Sequence, residues 1–394
     1  MGRGFRLLVG SSWTSNLADG INLAAGPLLV ASMTRDPRLV ALAPLLQQLP
    51  WLLFGLYAGA LADRLDRKVL VVTVDLLRTA VITSLAIVIL TGHVTITIVL
   101  VAVFCFGLAE TFSDTATGTL LPMLVSKADL GIGNARLMAG HITVNQLLGP
   151  PLGAFLFAAG MAWPFVTQAV CVLAAALLVS RIALPTHVRE LTGVRVSRDI
   201  ADGVRWLIGH HAIRTLALVI FTFNITFGAS YSVLVLYAQE RLGMGEVGFG
   251  LLVTSSALGG LLSTSVYDKL ERRFSLGTLM RVCLLLEVFA HLAFALAYRP
   301  WMGLVIMFVF GAYAFVWGTV SQTVRQRAVP QEFQGRVSSV YLVGVFGGLV
   351  FGSALGGLLA GEWGLTAPFW FGFVGTGVIL ALIWRQLPRI AHAE

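Results

Sequence analysis

Charge is what this sequence has least of. Only 12% of its 394 residues are Asp, Glu, Lys or Arg against 57% apolar, and the mean hydropathy is +0.86. A water-soluble chain carries roughly a quarter charged residues, so a soluble globular fold is excluded. Cysteine is nearly as scarce. Cys105, Cys171 and Cys283 all fall in apolar segments without ligand-like spacing, which leaves them as small packing residues rather than redox or metal sites. The chain has no His-Glu-x-x-His, no Gly-x-Ser-x-Gly elbow and no Walker-type phosphate loop. Hydrolytic chemistry and ATP-driven work therefore have no motif to rest on. Apolar residues run continuously instead of alternating with polar ones, which excludes a transmembrane β-barrel.

What the chain does have is long apolar runs. A helix needs roughly 20 apolar residues to cross a bilayer, and twelve segments meet that length. They lie at 7–33, 39–61, 69–91, 95–123, 137–159, 163–184, 213–238, 247–267, 275–297, 301–323, 337–360 and 366–386. The first run is too long for a signal peptide and no small-residue cleavage site follows, so it reads as a retained span. The net charge of +8 comes from 27 basic and 19 acidic residues. With the N-terminus inside, only Arg35, Arg38, Arg241 and Arg299 fall on the outer side, and Arg78 and Arg281 fall within or near spans. This positive-inside bias places both termini in the cytoplasm and makes the basic balance a topology signal, with no nucleic acid required.

The chain also repeats itself. Asp63-Arg64-Leu65-Asp66-Arg67-Lys68 returns 205 positions later as Asp268-Lys269-Leu270-Glu271-Arg272-Arg273, with the same charge at every charged position. Asp19 aligns with Asn224, Arg78 with Arg281, and Gly149-Pro150-Pro151-Leu152-Gly153-Ala154 with Gly352-Ser353-Ala354-Leu355-Gly356-Gly357. The fold class that follows is an all-α membrane protein of twelve transmembrane helices in two pseudo-symmetric six-helix bundles. The bundles are 1–184 and 213–394, joined by a cytoplasmic linker at 185–212. Ile200, Val204 and Leu207 at helical spacing, opposite Arg198, Asp202 and Arg205, predict an amphipathic helix over 197–208 that Ser197 caps and that tethers the halves along the membrane face. Duplicated halves able to rock against each other are the architecture of secondary transporters.

The loop Gly59-x-x-x-Asp63-Arg64-x-x-Arg67-Lys68 resembles the signature of the major facilitator superfamily. Asp75-x-x-Arg78, Leu121-Pro122-x-Leu124-Val125, Gly149-Pro150-x-x-Gly153 and Gly203-Val204-Arg205-Trp206-Leu207 are similar to elements of its drug- and siderophore-exporter branch, the drug:proton antiporters. The resemblance covers the whole chain. It departs in two places: Asp66 stands where the loop has glycine, and Asn145 where the fifth-span motif has another.

Asp63 at the end of span 2 can meet the N-terminus of span 11 near Val337, where free backbone donors and the helix dipole favour a carboxylate. Asp268 can do the same near Arg136. Gly59, Asp63, Arg64, Arg67, Lys68, Asp268, Lys269, Arg272 and Arg273 thus form a conformational latch favouring the outward-facing state, or else a plain topogenic basic loop. Gly348, Gly352 and Gly356 in span 11, in a ladder that begins at Gly344, would meet Gly149, Pro150 and Gly153 of span 5 in a close, bendable contact between the halves, or in ordinary tight packing.

Ionisable groups in a membrane each cost about 2.5–3.5 kcal/mol unless paired. The resemblance implies that spans 1, 4, 7 and 10 line the cavity. Asp19, Glu110 and Asp114 are then the proton-coupling candidates, with Asp19 and Glu110 the preferred pair; Asp114 could instead bond backbone where span 4 nears Pro122. Asp75 is expected to pair structurally with Arg78 near the cytoplasmic interface, and Glu287 with His291 in a helix that does not line the cavity. Asn16, Gln48, Asn145, Asn224, Phe227, Trp317 and Gln322 are substrate-cavity candidates.

The reading is a monomeric carrier of the bacterial cytoplasmic membrane that uses the proton gradient, without a cofactor or metal, to export a hydrophobic or amphiphilic small molecule by alternating access. A metabolite:proton symporter and a non-transporting receptor or scaffold are the alternatives.

Overall fold

A chain surrounded by hydrocarbon must satisfy its backbone internally, and helices do so within one segment. The computed structural model of the protein is accordingly helical. It describes residues 2–183, 196–331 and 333–387, without the side chains at 60, 62–64 and 196–201. The helices are α1 Arg3–Met33, α2 Pro37–Arg64, α3 Arg67–Leu90, α4 Ile96–Gly118, α5 Lys127–Ala159, α6 Trp163–Ser180, α7 Val196–Gly209, α8 His211–Tyr231, α9 Glu246–Arg273, α10 Leu276–Leu296, α11 Pro300–Ala328, α12 Gln334–Trp363 and α13 Ala367–Ile383. Among the described residues, ten helices are long and apolar enough to cross a membrane. The 31-residue α1 and the shorter, apolar α13 of 17 residues stand at the first and last of the twelve expected spans.

Helix starts follow local chemistry. Thr95 and Ser275 accept from Ile98 N and Thr278 N to cap α4 and α10, and Pro164, Pro300 and Pro368 sit in the first turns of α6, α11 and α13. Asp66 is the N-cap of α3, its Oδ1 accepting from Val69 N at 3.0 Å. The residue that departs from the signature loop therefore supplies a bond that glycine could not. Arg67 donates to the Thr119 carbonyl at 3.3 Å.

The described residues pack as two compact units. Unit 1 draws them from Met1–Thr34, Leu46–Val194 and Phe249–Thr254, and unit 2 from Arg35–Leu45, Arg195–Gly248 and Ser255–Glu394. In unit 1, α1 packs on α5 and α6, and α3 on α4 and α6; in unit 2, α8 packs on α12 and α13, and α10 on α11 and α13. The same pairs recur in the same order, so the duplication seen in the hexads is a duplication of packing. Gly107 and Gly311, 204 positions apart, extend it. A Cβ at the first would strike the Gln47 carbonyl of α2, and at the second the Ser256 carbonyl of α9.

The glycine motifs act inside the units. A Cβ at Gly149 or Gly153 would run into the backbone of Gly20 or Ile21 on α1; at Gly348, Gly352 and Gly356 it would meet Phe221, Ile225 and Ala229 on α8. In each unit these glycines make a close contact between its first and fifth spans. Pro150 and Ala154 receive Gly250 of α9, again within unit 1. Gly344, the first of the ladder, has nothing within 4 Å.

The amphipathic helix is present as α7, with one face docked on unit 2. Leu207 is buried in the core of unit 2, Gly203 lies against the backbone of Arg336 on α12, and Asp202 faces Arg205 at 3.1 Å and Arg336 at 3.9 Å. Ser197, Arg198 and Ile200 have side chains outside those described, and the start of the linker, 185–195, lies outside the described residues.

Candidate functional site

Unit 1 gathers charge around one residue. Arg78, on α3, is fully buried. Its Nη2 donates to Asp19 Oδ1 on α1 at 2.5 Å, and its Nη1 lies 3.5 Å from both Asp75 Oδ1 and Ser15 Oγ. The guanidinium carbon stands 4.8 Å from the centroid of Phe106 on α4, a cation–π contact. Asp75 is buried as well and accepts from Ser113 Oγ at 2.7 Å. The expected pair with Arg78 is present, and it belongs to a larger cluster, because the α3 register that buries Arg78 buries residue 75 one turn earlier.

Glu110 and Asp114 follow on α4. Gln47 of α2 hydrogen-bonds the Glu110 carboxyl, and Asp19, Asp114 and Arg78 are the charges acting on it. Asp114 is exposed at its own surface, yet the charges acting on it are Asp19, Arg78 and Asp75. It lies within reach of the cluster's charges and borders open space. Asp19 and Asp75 thus pair with a single guanidinium, and Glu110 and Asp114 lie within reach of its charge. Fully ionised, the four carboxyls would leave three negative charges unmatched, the composition of a site that takes up protons or an organic cation.

A polar string runs beside it. Asn16 Nδ2 donates to the Ser12 carbonyl at 2.8 Å, which turns its Oδ1 toward His141 Nδ1 at 3.0 Å; Gln146 Nε2 meets His141 Nε2 at 3.1 Å. The tautomer with hydrogen on Nδ1 satisfies both ring nitrogens. His141 opens a π-helical turn, His141–Leu148. Pro150 and Pro151 cannot donate to carbonyls one turn back, and the extra residue per turn is taken up just before them. A lone histidine in an apolar span gives no sign of this, so His141 was missing from the sequence candidates; a proline pair one turn beyond a polar segment was the available signal.

The other candidates separate. Asn145 is buried where α5 meets Gly20, and Gln48 is half-buried on α2. In unit 2, Asn224 bonds its own Ile220 carbonyl at 2.7 Å, Phe227 stacks on Phe310, Trp317 packs on the core and Gln322 is exposed. Arg281 donates to the Trp384 carbonyl at 3.0 Å and lies over that indole. The repeat therefore preserves packing but not the buried ion pair. The pseudo-equivalents of Asp19 and Arg78 make backbone bonds. Glu287 and His291 face each other at 3.2 Å as expected, beside a small cavity within unit 2. Asp268, Lys269, Arg272 and Arg273 are exposed in the last turns of α9. The side chains of Asp63 and Arg64 lie outside those described, so their part of the latch has no geometry here. Among the described residues, no three His, Cys, Asp or Glu side chains group as metal ligands.

Residues 2–392 match the family described as transmembrane secretion effector, of the major facilitator type. The chain belongs to that family. It is a multi-pass membrane transporter, not an enzyme. The transporter is 27% identical to the multidrug efflux pump Tap of Mycolicibacterium fortuitum, over 98% of this chain and 96% of that one. It is 24% identical to the enterobactin exporter EntS of Shigella boydii serotype 4 (strain Sb227), over 98% and 92%. A bacterial homologue of the iron transporter ferroportin, solved in an inward-facing state, superposes with a TM-score of 0.79 at 16% identity, covering 99% of both chains. That likeness shows the major facilitator fold.

Proposed function

We propose that this transporter exports a hydrophobic or amphiphilic small molecule in exchange for protons, by alternating access in a bacterial cytoplasmic membrane. The observation that carries the reading is the set of four carboxyls within reach of one buried guanidinium on membrane-spanning helices of unit 1. Asp19 is the pivot. It alone is both ion-paired to Arg78 and among the charges acting on Glu110, Asp114 and His141. A proton that neutralises Asp19 frees Arg78 to lean on Asp75; an arriving lipophilic cation competes for the same negative charge. Exchange of one for the other is antiport.

The efflux-pump and siderophore-exporter relatives support the direction of transport. The basic loop residues Gly59, Asp63, Arg64, Arg67 and Lys68, with Asp268, Lys269, Arg272 and Arg273, act as the cytoplasmic latch of the outward-facing state. The chain works as a monomer with both termini inside, without a cofactor.

The test is substrate-evoked proton movement in inverted vesicles whose interior is acidified by respiration, read with a pH-quenched dye. A panel of macrolides, tetracyclines, lipophilic cations and catechol siderophores is added. Dye recovery that requires the protein, and that falls in Asp19→Asn and Glu110→Gln, is the expected result. Folded, abundant protein that gives no recovery with any compound would sink the proposal.

A further inference from the structure

Unit 2 carries its own buried ionisable group, in a place the duplication does not anticipate. Glu287 and His291 sit one turn apart on α10, where the alignment with α3 supplies no counterpart, and both are buried. With Tyr313 of α11 and Ser230 of α8 they line a cavity of about 30 Å³, room for one or two waters. The rest of the lining is largely aromatic, Phe227 and Phe310 among it. Gly372 of α13 makes the imidazole's place, since a Cβ there would strike the ring.

The hydrogen bonds in this cavity can be counted. Ser230 has one hydroxyl hydrogen, and the arrangement in which it goes to the Pro368 carbonyl at 3.4 Å sets the count that follows. With the hydrogen given to His291 Nδ1 instead, Nε2 itself carries the hydrogen that faces Glu287. In the first arrangement the Ser230 oxygen is an acceptor for His291 Nδ1–H at 3.3 Å. A neutral imidazole with its hydrogen on Nδ1 presents a lone pair at Nε2, and that lone pair faces Glu287 Oε1 at 3.2 Å. Two acceptors at that separation in an apolar cavity repel unless a proton lies between them. One buried polar atom, His291 Nε2, has no hydrogen-bond partner among the described residues, and Tyr313 of α11 stands against the Glu287 carboxyl. His291 and Tyr313 are both more than nine-tenths buried.

We propose that Glu287 and His291 form a second proton-binding site of the transporter, holding one exchangeable proton between Glu287 Oε1 and His291 Nε2, with Tyr313 set against the Glu287 carboxyl and the cavity holding the water that relays the proton. On uptake the water passes one proton onto the pair as it accepts another from bulk solvent, so it stays neutral and the pair gains one proton; release runs the same relay in reverse, and no other bond changes. The other ionisable groups around the site are Tyr231 of α8 and Cys283, one turn earlier on α10; α13 contributes none. The site deepens the proposed proton coupling and rests on it only for the statement that the proton is linked to transport.

The test is an infrared pH titration of the purified full chain in lipid nanodiscs, following the carbonyl stretch of protonated carboxylic acids. The wild type is expected to show a titrating band that disappears in Glu287→Gln, shifts its midpoint in Tyr313→Phe, and persists in Asp19→Asn. A spectrum unchanged by folded Glu287→Gln overturns the proposal. If Glu287→Gln fails to fold, Tyr313→Phe, which keeps the ring in place, decides: a shifted midpoint supports the site and an unshifted one overturns it. Substrate-evoked proton flux in vesicles is measured in parallel. No flux with an intact Glu287 band would fail the antiport reading and leave the proton site standing; normal flux with no Glu287 band would do the reverse.

Discussion

Replacing Arg78 with leucine should be the most damaging single substitution in unit 1. The change removes the donor to Asp19 at 2.5 Å, the longer bonds to Asp75 and Ser15 at 3.5 Å, and the cation over Phe106. It leaves Asp19 and Asp75 with no cation beside them. Removing one partner of a buried ion pair costs about 3–5 kcal/mol, most of it the stranded charge. For a folding unit of this size, 1 kcal/mol moves a melting midpoint by roughly 2–4 °C, so the loss is on the order of 6–20 °C. Asp19→Asn should cost less, because Arg78 keeps Asp75 and the asparagine carbonyl can still accept. The double variant should then be milder than the sum of the two, since neutralising residue 19 removes one of the charges that Arg78→Leu strands. Thermal melting of a fluorescent fusion in detergent, followed by size-exclusion chromatography, measures all three. An Arg78→Leu protein melting within about 2 °C of wild type, or strictly additive effects, would refute the ion-pair account.

The glycines separate by neighbour: Gly352→Leu should abolish folded protein, because its side chain would enter the backbone of Ile225, whereas Gly344→Ala should melt no lower than wild type and gain up to about 1 kcal/mol of helix propensity. Asp66→Ala should cost about 1 kcal/mol by removing the α3 cap, while Asp66→Gly costs only a few tenths, a ranking that melting curves of the pair will show. Tyr237→Phe removes a buried hydroxyl that donates to the Phe294 carbonyl at 2.5 Å and should lower stability by about 1 kcal/mol, seen as a shift of a few degrees.

How much of this could be read beforehand depends on whether a feature is local. Apolar length and the charged hexads lie along the chain, so the spans, the pseudo-symmetry of packing and the helix at 196–209 were legible. Tertiary choices were not. Asp75 and Arg78 are three residues apart and read as a self-contained pair; only the rotation of α3 against α1 shows that Arg78 reaches Asp19 more closely. Asp19 and Asn224 align, yet only one holds an ion pair, because the repeat constrains backbone approach at Gly149 and Gly352 more tightly than it constrains that buried pair. Asp66 was visible as a departure from the family loop, but its purpose needed the φ and ψ of a helix start. His141 needed the π turn that two prolines impose one turn away.

The central claim is that proton movement drives transport. It is tested most directly by reconstituting the purified chain in liposomes, imposing a pH step in either direction, and following a lipophilic substrate found in the vesicle screen. The account predicts accumulation only in liposomes with an acidic lumen, collapse on adding a proton ionophore, and loss of accumulation in Asp19→Asn. Accumulation indifferent to the sign of the pH step, in protein shown to be folded, would contradict it.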